Sequence, residues 1–335
     1  MRIAFLYPQD SVGLPWSMGQ GVIDTLMRTG NEVLFVRMPT LTQASRRQFE
    51  EFKRLAPPIE KLMECDALIV SGPEHIAPWI EAAYERYEWK RLNIPTAAWL
   101  HECSEREDYT IDFDSIKWIA RDWFFPAIQD AEKHDQEVFA KGNSHWLPFG
   151  VDTEMFKPVI FPVAYDVAFI GGLYDKRIAY LQALARHDHP PIRMGNVSVY
   201  GLSGYDNRQS TERYVRDICS MKIFFNLPAM SKMLTPKVFE VMACGTFLLS
   251  PQLPPETGAN RNMALFDEKH LVYYRPSNLA YVAQLLRDWN GSDHEERRAE
   301  IRAQALAEIR TKHSLESRLA EMFEKMAIEI SQAVN

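Results

Sequence analysis

The chain has 335 residues, 46% hydrophobic and 25% charged, an ordinary globular composition, and at about 150 residues per domain two domains are expected. The formal net charge of −7 argues against a nucleic-acid backbone as the main partner, and no run nears the roughly 18 uninterrupted apolar residues of a spanning helix. Four cysteines without C-x-x-C spacing point to reduced thiols, and the N-terminal apolar run is too short for a signal peptide, so a cytoplasmic protein is expected.

Residues 2–7, RIAFLY, read as a buried strand bounded by Pro8. A loop bearing Gly13, Gly19 and Gly21 leads to VIDTLMRTG, whose apolar residues recur at helical spacing, and then to the strand EVLFVRM. The alternation continues with a charged helix over residues 43–55 and the strand DALIVSG. The helix PWIEAAYERYEWKRL, the strand IPTAAWL and the strand DWFFPAI follow, before a helical pattern that runs to Phe139. Short apolar strands alternating with helices predict a parallel sheet covered on both faces.

Around Trp146 the pattern changes, and HWLPFGVDTEMFKPVIFPVAYD reads as a proline-rich connector. A second series follows: DVAFIGG, the helix KRIAYLQALARH, VSVYGL, the helix TERYVRDICSM and KIFFNL. It closes with a short helix in TPKVFEVMACG, then TFLLS, LVYY and the helix NLAYVAQLLRDW. The tail from about residue 294 is helical and charge-laced, with Leu315, Leu319, Met322, Phe323 and Met326 on one face. Its polar face is rich in glutamate, so it is expected to pack on the protein and not on a membrane surface. The predicted organisation is a Rossmann-like domain over residues 1–150, a second over 151–312, and a helix over 313–335 that packs back on the body.

Three stretches carry chemistry. In TPKVFE, Thr235 and Pro236 read as N-cap and first helical residue, and Gly245 as the terminator. Glu240 then either complements the helix dipole or, with Lys237 and the helix N–H groups, receives a sugar hydroxyl and a phosphate. In FIGGLYDKR, Gly171 and Gly172 follow a strand, and Lys176 and Arg177 open the next helix. That arrangement suits a diphosphate approached closely by backbone, or else a glycine turn with two solvated cations. The third is WLHECSERED, which puts His101 and Glu102 at the carboxyl end of a strand, where open parallel sheets bind ligands. No P-loop and no G-x-G-x-x-G after the first strand is present, which argues against an NAD oxidoreductase.

With these residues in view, LPFGVDTEMFKP (residues 147–158) resembles the interdomain segment of GT-B glycosyltransferases. KVFEVMACGTFLLS is similar to the E-A-M-A-C-G-x-P-V segment of their donor domain, and FIGGLYDKR to the stretch that opens that domain. KHSLESRL resembles an element of the CgeB-like branch. The resemblance covers most of the second half and is only architectural over residues 1–145. It implies two doubly wound α/β domains facing across a cleft, and transfer of a hexose or pentose from a nucleotide-diphosphate sugar, without cofactor or essential metal, to an unidentified acceptor. Glu240 resembles the glutamate that holds the donor ribose, Lys176 and Arg177 the residues that grip the diphosphate, and Lys237 the basic residue before that glutamate. Gly13 to Gly19 corresponds to the glycine-rich loop that approaches the sugar, Gly172 to the donor-domain turn, and Gly201 to the region where the base rests. Lys232 stands where many retaining members have a first glutamate.

The candidates for acid-base work are His101, Glu102 and Asp10, since an inverting enzyme needs such a group within reach of the acceptor hydroxyl. The DFD of residues 112–114 mimics a D-x-D metal motif, and His187 with His189 offers two ligands, but neither has the placement of a metal site, and no metal is expected. Two other functions stay open: a transferase whose acceptor is DNA carrying a hydroxylated base, and a sugar-nucleotide-binding protein of the same fold without turnover. The acceptor is thus a glycan, a small molecule or modified DNA.

Overall fold

The computed structural model describes residues 1–8, 16–38, 54, 56–101, 111–137, 142–195, 208–229, 233–253 and 263–327. The chain forms two compact units, one of Met1–Pro148 with Leu315–Asn335, the other of Phe149–Ser314.

In the first unit, β1 (Arg2–Pro8), β2 (Glu32–Met38), β3 (Ala67–Ser71), β4 (Thr96–Trp99), β5 (Asp122–Phe125) and β6 (Ser144–Trp146) form one parallel sheet in the order β2-β1-β3-β4-β5-β6. Helices α1 (Gln20–Arg28), α2 (Ile59–Met63), α3 (Pro73–Ala83), α4 (Arg86–Trp89), α5 (Phe113–Ile116) and α6 (Ile128–Glu137) lie between the strands in sequence. Strands covered on both faces need continuous apolar runs instead of alternation. Ala67–Ser71 is buried throughout, and Ile3, Ala4, Phe5 and Leu6 of β1 are all fully buried.

The second unit repeats the plan. Strands β7 (Tyr165–Ile170), β8 (Ile192–Gly195), β9 (Met221–Phe225), β10 (Phe247–Pro251) and β11 (Val272–Tyr274) pair in the parallel order β11-β10-β9-β7-β8. Helices α7 (Asp175–Leu184), α8 (Arg208–Cys219), α9 (Pro236–Ala243), α10 (Leu279–Asn290) and α11 (Glu295–Lys312) alternate with them or follow. Counted from its own first strand, the first sheet runs 2-1-3-4-5-6 and the second 2-1-3-4-5, so the winding reverses between β1 and β3 and between β7 and β9. Ligand crevices in such sheets open at the carboxyl ends of the strands beside that reversal.

The last helix, α12 (Leu315–Lys325), belongs to the first unit and packs on α1. Its apolar stripe of Leu315, Leu319, Met322 and Phe323 is buried, and Arg28 pairs with Glu316 at 2.9 Å. Among the described residues no helix is long and apolar enough to cross a membrane.

The sequence reading differs from the structure at a few elements. The strand expected at VSVYGL and nearly all of the helix expected over 43–55 lie outside the described residues. Just before VSVYGL the structure has a strand that the sequence does not signal, Ile192–Gly195, a sheet edge whose side chains are half-buried or exposed. The helix predicted from Pro78 begins one turn earlier at Pro73, with Pro78 inside it, and breaks before Arg86. Strand β6 falls in what reads as connector, because its three residues are half-buried polar and aromatic groups.

Candidate functional site

The second unit assembles a charged cluster at its winding reversal. Strand β7 ends at Ile170, and Gly171 and Gly172 lead to α7. A Cβ on Gly171 would collide with the Lys237 ammonium and with the Phe169 ring, 2.5 Å away, so a side chain there is incompatible with the cluster. Arg177, buried in the first turn of α7, donates from Nε to the Pro228 carbonyl (2.9 Å) and from a terminal nitrogen to the Gly172 carbonyl (2.7 Å). Tyr174 donates to the same Pro228 carbonyl at 2.8 Å. The loop after β7 is thereby tied to the loop after β9, the two loops that flank the reversal. The Arg177 guanidinium lies 4.6 Å from the Tyr174 ring centre and 5.0 Å from that of Phe169, and the Lys237 ammonium 4.8 Å from Phe169, so one ring faces both cations.

Lys237 and Glu240 stand one turn apart on α9, on the same face. Pro236 occupies the first helical position, which it suits because that N–H has no intrahelical partner. Thr235 holds the cap position, but its side chain makes no capping hydrogen bond. Gly245, at φ 68°, ends the helix, with its N–H bonded to Met242 and that of Thr246 to Val241. Glu240 is buried in the second turn, and the first turn holds no acidic residue, so it is poorly placed to complement the helix dipole. Its carboxylate accepts from the Tyr214 hydroxyl at 3.1 Å.

Burial pushes the Glu240 carboxyl up to about 7, against the opposing pull of Lys237 and Tyr214. Burial, then the charge of Arg177, pushes the Lys237 ammonium down to about 7, with Glu240 opposing. Arg177 is likewise lowered by burial. Among the described residues no hydrogen-bond acceptor meets the Lys237 ammonium. Among the described residues, two basic side chains face one buried carboxylate in this cluster, an imbalance that a bound anion relieves.

In the first unit, His101 lies just past β4, where its Nε2 is 2.6 Å from the hydroxyl of Ser71, the last residue of β3. Its backbone N–H donates to Glu74 at 2.8 Å, and the His75 ring centre is 6.1 Å away. Burial, with a smaller contribution from His75, lowers the imidazole pKa well below its ordinary value, so the ring is neutral at physiological pH.

The expected site residues therefore part company. Arg177, Lys237 and Glu240 come together, with Gly172 contributing a carbonyl to Arg177. Lys176, next to Arg177 in sequence, is exposed on α7. Gly19 is the buried N-cap of α1. Asp10, Gly13, Glu102, Gly201 and Lys232 lie outside the described residues. Tyr214, Tyr174 and Phe169 are contributors that sequence reasoning missed: Tyr214 and Phe169 are buried aromatic residues at helix or strand spacing and look like core, and Tyr174, half-buried at the N-cap of α7, looks like a loop residue. Of the DFD residues, Asp114 pairs with Lys117 at 2.6 Å, and Asp112 stands at the N-cap position of a short helix without a side-chain capping hydrogen bond. No group of three metal-binding side chains occurs among the described residues.

A family described as glycosyl transferase-like matches residues 177–324, less than half of the chain, from Arg177 past Lys237 and Glu240. No curated protein sequence matches. Among solved structures, Anabaena HepE in complex with UDP and glucose is 13% identical, with a TM-score of 0.63 over 98% of this chain and 99% of that one. A glycosyltransferase from Rickettsia africae is 13% identical, with a TM-score of 0.61 over 97% of each chain. An alpha-glucosyltransferase in complex with UDP and a 13-mer DNA containing a central A:G mismatch is 10% identical, with a TM-score of 0.63 over 98% and 100%. The architecture is the GT-B fold, two Rossmann-like units, as the sequence predicts.

Proposed function

We propose that the chain is a glycosyltransferase that moves a sugar from a nucleotide-diphosphate sugar to an acceptor hydroxyl, with the donor held by the second unit and the acceptor by the first. The observation that carries this reading is the grouping of Arg177, Lys237 and Glu240 at the carboxyl end of β7 and β9. In that reading Glu240 accepts hydrogen bonds from the ribose hydroxyls, while Lys237 and Arg177 neutralise the departing diphosphate. Preorganised cations in a dry site supply the charge stabilisation that a divalent ion provides elsewhere, so transfer is expected to persist in excess chelator. His101 and Glu102 are the groups assigned to the substrate hydroxyls in the first unit, with Asp10 beside them in role.

The structural neighbours bound to UDP make UDP and UDP-glucose the first donors to titrate. One nucleotide diphosphate should bind, and Glu240→Gln should weaken it roughly tenfold to a hundredfold, the worth of charge-assisted hydrogen bonds. Absence of binding by any nucleotide sugar would remove the roles of Glu240, Lys237 and Arg177 together. Membership of the CgeB-like branch is supported by KHSLESRL, whose His313 is buried against Phe239, the neighbour of Glu240, at 5.6 Å between ring centres. The buried free thiols of Cys65 and Cys244 fit a reducing, cytoplasmic setting.

A second reading takes hydroxylated DNA as acceptor, favoured by the DNA-bound structural neighbour and opposed by the net charge of −7. Duplex binding that falls steeply with salt would support it.

A further inference from the structure

The Ser71 hydroxyl has one proton to donate and two lone pairs. It lies 2.9 Å from the Met18 carbonyl and 2.6 Å from His101 Nε2. A carbonyl only accepts, so the hydroxyl proton belongs to Met18. The alternative, donation to His101, would face two buried oxygens with no proton between them. Nε2 must then carry its own proton and donate it to Ser71, which leaves Nδ1 bare. Ser71 and Met18 are both fully buried, so neither water nor a rotamer change relaxes the arrangement.

The next residue acts on the other edge of the ring. Gly72 has φ 66°, a left-handed backbone, and a Cβ there would stand 2.8 Å from Nδ1 and 2.9 Å from Cε1. Any other residue would displace the ring or cover Nδ1. Among the described residues no donor meets Nδ1. Among the described residues, the charged and titratable groups near the ring are His75, at 6.1 Å between centres, and Glu74, one of whose carboxylate oxygens accepts from the His101 backbone N–H and lies 3.7 Å from His75 Nε2.

We propose that Ser71 is a positioning residue: it holds His101 as the neutral tautomer protonated on Nε2 and, with Gly72, presents a bare Nδ1 as acceptor for a hydroxyl of the transfer substrates. The role in transfer rests on the glycosyltransferase reading above; the tautomer does not.

The test is 15N NMR of the histidine rings in the full chain, with His101→Gln to assign the signals. The expected result is a protonated Nε2 and a bare Nδ1 that persist from pH 8.5 to 5.5. In Ser71→Ala the ring should exchange between tautomers, and Ser71→Thr, which keeps the hydroxyl, should restore the wild-type pattern. A wild-type ring with Nδ1 protonated overturns the assignment, whatever the protein transfers. In steady-state assays with the donor that binds, Ser71→Ala should lower kcat on the order of tenfold, the worth of one misdirected hydrogen bond, with donor KM unchanged and Ser71→Thr recovering the rate. Unchanged kcat in a Ser71→Ala protein with mixed tautomers overturns the positioning role. Failure of every nucleotide sugar to bind the wild type sinks the transferase reading instead, and the ring spectra still decide the tautomer.

Discussion

Glu240 and Lys237 set the groups proposed for the ribose and for the diphosphate of one ligand on a single helical turn, and both are titratable near neutrality. For Lys237 the folded-state pKa is depressed, so at pH 8 the free protein holds it largely neutral. A diphosphate favours the ammonium, so binding at pH 8 should take up protons, seen as a calorimetric heat that depends on the ionisation enthalpy of the buffer. Lys237→Met should abolish that dependence. For Glu240 the folded pKa is raised to about 7 from an ordinary value near 4.5, so its contribution to stability is present below 4.5 and is lost as pH rises through 7. Ligand-free Glu240→Gln should therefore be more stable than the wild type at pH 8, on the order of 1–3 kcal/mol, and about equal at pH 5. Urea titrations at the two pH values check this; equal stability at both would mean that the carboxylate is not strained by burial.

At the scale of elements, α9 depends on how it stops. Gly245 adopts φ 68°, and a Cβ there would lie 3.2 Å from Pro158 Cγ. Gly245→Ala should cost about 1–2 kcal/mol through left-handed backbone strain and lower the thermal midpoint, with nucleotide affinity following because Lys237 and Glu240 ride on that helix. An unchanged midpoint would show that the terminator is dispensable. This helix was also the most legible part of the site. Proline at its first position, glycine after its end and a carboxylate among apolar residues are all local signals, as were the apolar runs of β1, β3, β7 and β9. The partners of the cluster were not legible. Tyr214 meets Glu240 from a helix 26 residues upstream, and Phe169 shows in sequence only as one more apolar strand residue. Ser71 looks like a strand end until the fold brings His101 beside it, 30 residues on. Arg177 and Lys176 are indistinguishable as adjacent letters; only the phase of α7 turns one inward and the other to solvent.

For the whole molecule, the course of the chain has a practical result. The second unit runs from Phe149 to Ser314, and near its two ends Val151 pairs with Ser314, while the Val151 N–H bonds to the His313 carbonyl at 3.0 Å. The expected outcome is that residues 149–314 fold alone and bind nucleotide diphosphate with an affinity close to that of the full chain. Removing residues 315–335 should instead damage the first unit, since the buried stripe of α12 covers α1. Limited proteolysis and circular dichroism of the two shortened chains distinguish these cases. A segment whose entrance and exit are fastened side by side is a cassette, and one that carries its own ligand cluster can be exchanged between scaffolds as a single cut-and-paste unit. Whatever the second unit binds is thus the property most open to re-engineering by whole-module replacement, whereas the first unit is discontinuous in sequence and is complete only once α12 has returned to pack on α1.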